Sequence, residues 1–230
     1  MKCVVPLAGP DLWTETFGFR PLVPVEGRPL LQVALDQRAW RGRLESRDYI
    51  FVVREVEGLE QLEQALRALW PECRIVWLSH LTGGALYSAL AAMSLVAPDE
   101  PIIVDLADIL FTEGPEDPEH LFKAQDWGAI VPVFQSTEPC YSYLEIEDGR
   151  VLRAREKQVI SDHASAGVYM FASPQLYLTA AVHSLQQRDE LSYRNLLFIC
   201  PMVNGVIAAG KQVLAPAIEA VQPVGKLFHI

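Results

Sequence analysis

The sequence predicts an α/β protein with a mostly parallel, Rossmann-like central sheet, helices on both faces and an antiparallel portion added in the second half. Three observations lead there. Short apolar runs alternate with helix-length runs as far as residue 105. The runs are apolar and β-branched, as in strands covered on both sides. Further on, Asp148-Gly149 is a hairpin turn signal between two short strand-like runs.

Val4 to Leu7 is the first apolar run and ends at Ala8-Gly9-Pro10. Pro29 to Trp40 predicts a helix with proline near its first turn. Tyr49 to Arg54 (YIFVVR) is β-branched and aromatic and predicts a strand. Leu59, Leu62, Leu66 and Leu69 fall on one helical face, and Pro71 stops that helix. Arg74 to Leu78 (RIVWL) predicts another strand. Gly84 to Ala97 is apolar nearly all round but far shorter than the roughly 20 residues of a membrane span, so it predicts a buried helix. Pro101 to Val104 (PIIV) predicts a buried strand. Ala129 to Phe134, Ser142 to Ile146, Val151 to Ala154 and Gly167 to Phe171 complete the strands, and Ser173-Pro174 opens a helix to Gln187. No repeat or linker interrupts residues 1–230, which predicts one domain.

Half of the 230 residues are hydrophobic (50%), enough for one sizeable core. A formal net charge of -10 excludes a nucleic-acid-binding surface, because phosphate backbones require a basic footprint. A small anionic ligand needs only a few local cations and stays open. Cys3, Cys73, Cys140 and Cys200 form no CxxC pair, so neither a zinc site nor a disulfide framework is expected, and reduced thiols fit the cytoplasm. The N-terminal apolar run is too short for a signal peptide, and no membrane insertion is expected. His80, His120, His163, His183 and His229 have no ligand spacing, and the five tryptophans are expected to pack rather than stack on a ligand.

In open α/β sheets, ligands sit beyond the carboxyl ends of the strands. Three segments fall there: residues 8–29, 82–85 and 105–108. Several of their motifs are distinctive. Residues 20 to 31 read Arg-Pro-Leu-Val-Pro-Val-Glu-Gly-Arg-Pro-Leu-Leu, preceded by Pro6-Leu7-Ala8-Gly9. Thr82-Gly83-Gly84-Ala85-Leu86 follows, then a strand ending in Asp105-Leu106-Ala107-Asp108. Glu156-Lys157-Gln158-Val159-Ile160-Ser161, Gly167-Val168-Tyr169-Met170-Phe171 and Pro201-Met202-Val203-Asn204 complete the series.

In this order the motifs resemble those of the sugar-1-phosphate nucleotidyltransferases, from residue 4 to about 214. The E-K-x-x-I-S stretch is similar to that of a bacterial branch tied to capsule and lipopolysaccharide sugars. The resemblance implies the nucleotide-diphospho-sugar transferase fold. It also implies attack of a sugar 1-phosphate oxygen on the α-phosphorus of a nucleoside triphosphate, giving a nucleotide sugar and pyrophosphate. Such transfers run mainly on positioning and charge neutralisation, with magnesium as the implied cofactor. By the same resemblance, Asp108 is the metal ligand, with Asp105 a second candidate. Lys157 and Arg20 hold phosphate, arginine replacing the lysine of the family's K-P-L. Leu7, Ala8, Gly9, Thr82, Gly83 and Gly84 contact the nucleotide, and Glu156, Gly167 and Asn204 the sugar. Thr82 doubles as an expected helix N-cap. A homo-oligomer is also implied.

Two departures matter. The family's A-G-x-G-x-R loop here is Ala8-Gly9-Pro10-Asp11-Leu12-Trp13, with Asp11 and Trp13 at the second glycine and the arginine. A carboxylate there is expected to repel a triphosphate by on the order of several kcal/mol. The family's second metal carboxylate is missing before Gly225 in Gln222-Pro223-Val224-Gly225-Lys226. These departures keep a non-catalytic binder of nucleotide or sugar phosphate in contention. A glycosyltransferase of related fold is a weaker alternative, because Asp105-Leu106-Ala107-Asp108 is one residue too long for D-x-D.

Overall fold

The structure is a computed structural model that describes residues 1–224; Gly225 and Lys226 of the motif above lie outside the described residues. The central sheet contains β1 (Lys2–Pro6), β2 (Tyr49–Arg54), β3 (Arg74–Leu78), β4 (Ile102–Asp105) and β5 (Trp127–Ile130). A second sheet is built from β6 (Val133–Gln135), β7 (Tyr143–Glu147), β8 (Arg150–Arg155) and β9 (His163–Ser165). The chain then returns to the central sheet with β10 (Val168–Phe171) and finally β11 (Gln212–Leu214). The central order is β11-β5-β10-β4-β1-β2-β3, and the second sheet runs β6-β9-β7-β8. β1 pairs parallel with β2 and β4, β2 with β3 and β11 with β5, whereas β10 lies antiparallel between β4 and β5. The expected mostly parallel α/β sheet with an antiparallel portion is what forms.

Alternation within the strands divides the core. Val5, Phe51, Val53, Ile103 and Met170 face one side, where α1 (Leu30–Asp36) and α2 (Leu59–Leu69) cover them. Val4, Ile50, Val52, Val104 and Phe171 face the other, under α3 (Ala85–Leu90), α5 (Pro174–Gln186) and α7 (Val203–Ala208). Two further helices are α4 (Pro118–Ala124), whose Leu121 and Phe122 pack against the first of these faces, and α6 (Arg188–Leu191), which follows α5. Each large apolar side chain removed from water contributes about 1.5–3 kcal/mol, so both faces stabilise the sheet.

The helix expected over 29–40 is confined to Leu30–Asp36, because Arg38 turns inward to an ion pair and Trp40 buries against Phe111. The helix expected over 84–97 is α-helical only to Leu90 and ends in a 3-10 turn at Met93–Leu95. The run from Ala129 to Phe134 is one chain segment but two strands. Pro132 has no N–H for a ladder. Val131 N–H reaches Leu214 carbonyl (2.9 Å) and Val133 N–H reaches Pro216 carbonyl (2.9 Å). The chain passes from one sheet to the other there, and passes back between β9 and β10 at Ala166-Gly167. Ala166 N–H donates to Pro132 carbonyl (3.0 Å), which ties the two crossings together. Among the described residues no helix is long and apolar enough to cross a membrane. All four cysteines are free, and Cys140 alone of the four is exposed. Trp40 and Trp70 are packed in the core, while Trp13 and Trp77 are exposed.

Candidate functional site

The segments leaving β1 and β4 meet the second sheet beyond the strand ends and enclose a cavity of about 280 Å³. Its walls include Ala8, Gly9, Arg20, Thr82, Gly84, Asp108, Glu156, Lys157 and Gly167, drawn together from across the sequence. Leu7, Gly83, Asp105 and Asn204 are not among its walls.

Asp108 is placed by a loop under control of Arg38. Arg38 donates through Nε and Nη2 to the two Asp105 carboxylate oxygens (2.8 and 2.9 Å) and through Nη1 to Ile109 carbonyl (3.0 Å). Its guanidinium lies 4.0 Å from the centre of the Phe111 ring. Asp105 also accepts from Ala107 N–H (2.9 Å), and Ala107 has a left-handed φ of 53°. With both oxygens occupied and no face on the cavity, Asp105 shapes the loop rather than offering itself to a ligand. Asp108 lies between the two points that Arg38 grips. Burial raises its carboxyl above the ordinary range; Arg20 lowers it, and Asp105 adds to the rise. Its Oδ1 is buried with no hydrogen-bond partner. A Cβ on Gly167 would stand 2.9 Å from that oxygen, and Gly167 has φ 74°, so glycine fits both the corner and the carboxylate.

Glu156 ends the strand opposite. It is 8% exposed and accepts a short hydrogen bond from the Ser142 hydroxyl. Burial pushes its carboxyl up to about 7, with Asp108 adding to the rise and Ser142 and Lys157 opposing it. Beside it, Ser165 Oγ donates to Tyr169 Oη (2.9 Å) and accepts from Gly167 N–H (3.2 Å). The folded state therefore binds the Glu156 proton more tightly than the unfolded chain, whose carboxyl titrates near 4.5. Stability should be greatest below about pH 4.5 from this group, fall as pH rises toward 7 and level off above it. The full span is about 3 kcal/mol. Glu156→Gln should remove that slope and raise stability at pH 8, as read from urea midpoints across pH. An unchanged slope would refute the assignment.

Lys157 carries a left-handed φ of 52°. Its Nζ lies 5.5 Å from the Tyr193 ring centre and 5.7 Å from that of Phe198, a cation held by two aromatic faces. Those rings flank a two-residue turn at Arg194 and Asn195 (φ 51° and 63°), closed by reciprocal bonds between Tyr193 and Leu196 (3.0 Å each). Arg188 Nη2 donates to Asn195 carbonyl (2.8 Å), and Arg155 pairs with Glu190. The same segment binds the Thr82–Leu86 turn: Leu197 N–H donates to Gly83 carbonyl (2.9 Å), and Leu86 N–H to Leu197 carbonyl (3.2 Å). Gly84, not Thr82, is the N-cap of α3, and its side of the turn is packed against Leu197 backbone. Thr82 Oγ1 instead donates to Gly84 carbonyl (3.0 Å) and lies 2.8 Å from Ser88 Oγ.

Asn204 works behind the wall. Its amide nitrogen donates to Ala154 carbonyl (2.9 Å) and Pro201 carbonyl (2.8 Å), while its oxygen accepts from Ala154 N–H (3.0 Å). It thereby fixes the strand that presents Glu156 and Lys157. At the glycine-rich turn, Asp11 is paired with Arg20 (2.7 Å). The bare repulsive carboxylate expected there is instead neutralised within the protein. Trp13 is exposed and lines no part of the cavity.

Ser142, Ser165, Tyr169, Phe198 and Arg38 had no assigned role in the sequence. Two of them carry a local signal: Arg38, a cation at the end of an apolar helical run, and Tyr169, within the Gly167–Phe171 motif. Among the described residues no three His, Cys, Asp or Glu side chains converge as a metal cage. The orphaned Asp108 oxygen fits a hard cation shared between one carboxylate and phosphate oxygens, the usual partition for magnesium.

No family model matches the chain, and no curated protein matches it. Solved structures share its fold. A nucleoside-diphosphate-sugar pyrophosphorylase from Vibrio cholerae superposes with a TM-score of 0.80 at 21% identity, covering 98% of this chain and 96% of its own. A protein assigned as a glucose-1-phosphate thymidylyltransferase from Bacillus anthracis gives 0.74 at 16% identity, over 98% and 90%. A UDP-glucose pyrophosphorylase complexed with UDP-glucose gives 0.70 at 17%, over 97% and 93%. The chain has the fold of these sugar-nucleotide enzymes.

Proposed function

We propose that the cavity binds a nucleoside triphosphate and a sugar 1-phosphate and transfers the nucleotidyl group between them. The supporting observation is convergence: Arg20 and Lys157, two cations from distant positions, line one cavity with Asp108, whose buried oxygen has no partner. A phosphate oxygen of the sugar 1-phosphate attacks the α-phosphorus, the bond to the β-phosphate oxygen breaks, and pyrophosphate leaves with the electron pair. Lys157, held by its two rings, neutralises phosphate charge at the α-position. Arg20 does so at the glycine-rich turn. Glu156, largely protonated below pH 7, donates to or accepts from the sugar hydroxyls. Magnesium, when bound, would polarise phosphate oxygens, and Asp108 would hold it.

The neighbours' described activities support nucleotidyl transfer, and the E-K-x-x-I-S stretch supports a nucleotide sugar for cell-surface polysaccharide made in the cytoplasm. A homo-oligomeric enzyme is part of the same proposal. Incubating the protein with each nucleoside triphosphate and a panel of sugar 1-phosphates should release pyrophosphate with magnesium. Asp108→Asn should lower that rate at least about 100-fold while leaving the thermal midpoint within a few degrees. Undiminished turnover in that variant would refute the role of Asp108.

A specific observation favours a second reading. Arg20 is already paired with Asp11, and among the described residues no three His, Cys, Asp or Glu side chains group as a metal cage around Asp108. A non-catalytic binder would be stabilised by a nucleotide sugar or sugar phosphate, without releasing pyrophosphate from any pair.

A further inference from the structure

The glycine-rich turn holds an anion of its own. Asp11 Oδ2 lies 2.7 Å from Arg20 Nη1, and both side chains are mostly shielded, at 22% and 13% exposure. The other oxygen, Oδ1, lies over Gly9, at 2.6 Å from where a Cβ would project. The carboxylate is thus folded back onto the turn instead of extending into water. Ala8, Gly9, Asp11 and Arg20 all face the cavity. Among the described residues, no carbonyl or side chain accepts from the N–H of Ala8 or Gly9. Two free backbone donors, one guanidinium and a cavity opening make an anion seat. Its present occupant is the protein's own carboxylate.

We infer that Asp11 is a resident counter-ion in this seat, and that a phosphate group enters only by displacing it from Arg20. The proposal rests on the phosphate-ligand reading of the cavity, but not on catalysis. Several features of the pair suit such exchange. The contact runs from Arg20 Nη1 to Asp11 Oδ2 on a short side chain, so a rotation of Asp11 releases it. Asp11 lies nine residues before Arg20, and the stretch between them carries the two-residue ribbon Trp13–Thr14 with Gly18–Phe19, with Leu12 and Phe19 buried in the core. Arg20 also lowers the Asp108 carboxyl, so its charge is felt by both Asp11 and Asp108 in the cavity lining. An incoming phosphate gains the guanidinium and the two N–H groups, but must replace an existing ion pair and leave a carboxylate nearby. Asp11 thereby selects against ligands whose grip depends on this seat, above all those with a terminal pyrophosphate. It leaves ligands anchored at Lys157 and Glu156 less affected. The discrimination lies in a residue that touches no sugar and no base.

Inorganic pyrophosphate is the direct probe, measured by calorimetry on the full chain without added nucleotide. Asp11→Asn keeps the shape and removes the charge; it should bind pyrophosphate at least tenfold more tightly than the unaltered protein. Adding Arg20→Gln to Asp11→Asn should abolish the gain. Asp11→Ser, smaller and uncharged, repeats the measurement should the asparagine variant fold poorly. Equal or weaker binding in both Asp11 variants would overturn the proposal and make Asp11 a support that orients Arg20. Absence of pyrophosphate binding in every variant would overturn it too. Nucleotidyl transfer is scored separately, by nucleotide-sugar formation. A tenfold gain in pyrophosphate affinity without turnover would preserve the counter-ion and remove the enzyme.

Discussion

Arg38→Met should destabilise the protein by about 3–5 kcal/mol, the usual consequence of leaving one member of a buried ion pair without its partner. The side chain is 1% exposed and Asp105 is fully buried, so water cannot replace the guanidinium. With total stabilities of about 5–15 kcal/mol for ordinary domains, that loss is a large fraction of the whole. The double variant Arg38→Met with Asp105→Asn should recover much of it. The asparagine carries no charge and its oxygen can still accept from Ala107 N–H. Urea unfolding of the three proteins measures both effects. A single-variant loss below about 1 kcal/mol would mean that the pair contributes nothing special. The same loop carries Asp108, so the single variant should also lose ligand binding in the cavity before it unfolds.

Gly84→Ala should be at least as damaging, for steric reasons. A Cβ there would lie 2.1 Å from Leu197 carbonyl oxygen and 2.7 Å from its nitrogen, and backbone cannot swing aside as a flexible side chain can. Gly84 also has φ 126° and ψ 171°, a conformation reserved almost wholly for glycine. Relief requires moving the 193–198 segment, which carries the rings around Lys157. Loss of about 3 kcal/mol or more in stability should therefore accompany loss of ligand-induced thermal shift. Gly83→Ala is the control. Its Cβ would meet only the Tyr87 ring, at 3.1 Å, and that side chain can yield. Similar behaviour of the two alanine variants would refute the contact as the cause.

The distribution of these effects tracks what could be read locally. YIFVVR and RIVWL occupy the strands their composition predicts, because consecutive apolar and β-branched residues write strands, although the first is buried and the second is a partly exposed edge. Ser173 caps its helix through Leu176 N–H (3.2 Å), as its Ser-Pro start predicts. The cavity residues carried by the resemblance came from glycine-rich turns and charged strand ends, which leave signatures in a few neighbouring letters. The partners did not. Arg38 meets Asp105 across 67 positions, and Asn204 meets Ala154 across 50. Gly84 has no room for a side chain because of the Leu197 backbone, a partner far away in the sequence. Asp11 is a lone charge in the sequence and half of an ion pair with Arg20 in the fold. Residue type announced that these positions were unusual, but only the folded topology supplies what each is matched against.

The Asn204 amide has one further consequence, for self-association. Strand β8 closes one side of the four-stranded sheet, and an outer strand ordinarily offers its peptide groups to any passing extended chain. At Ala154 both the donor and the acceptor are already engaged by a single side chain that has the chemistry of a peptide group. Asn204 is in effect one residue of a missing neighbouring strand, supplied from a helix. It ends the sheet at that register and denies a second molecule the place where strand addition would begin.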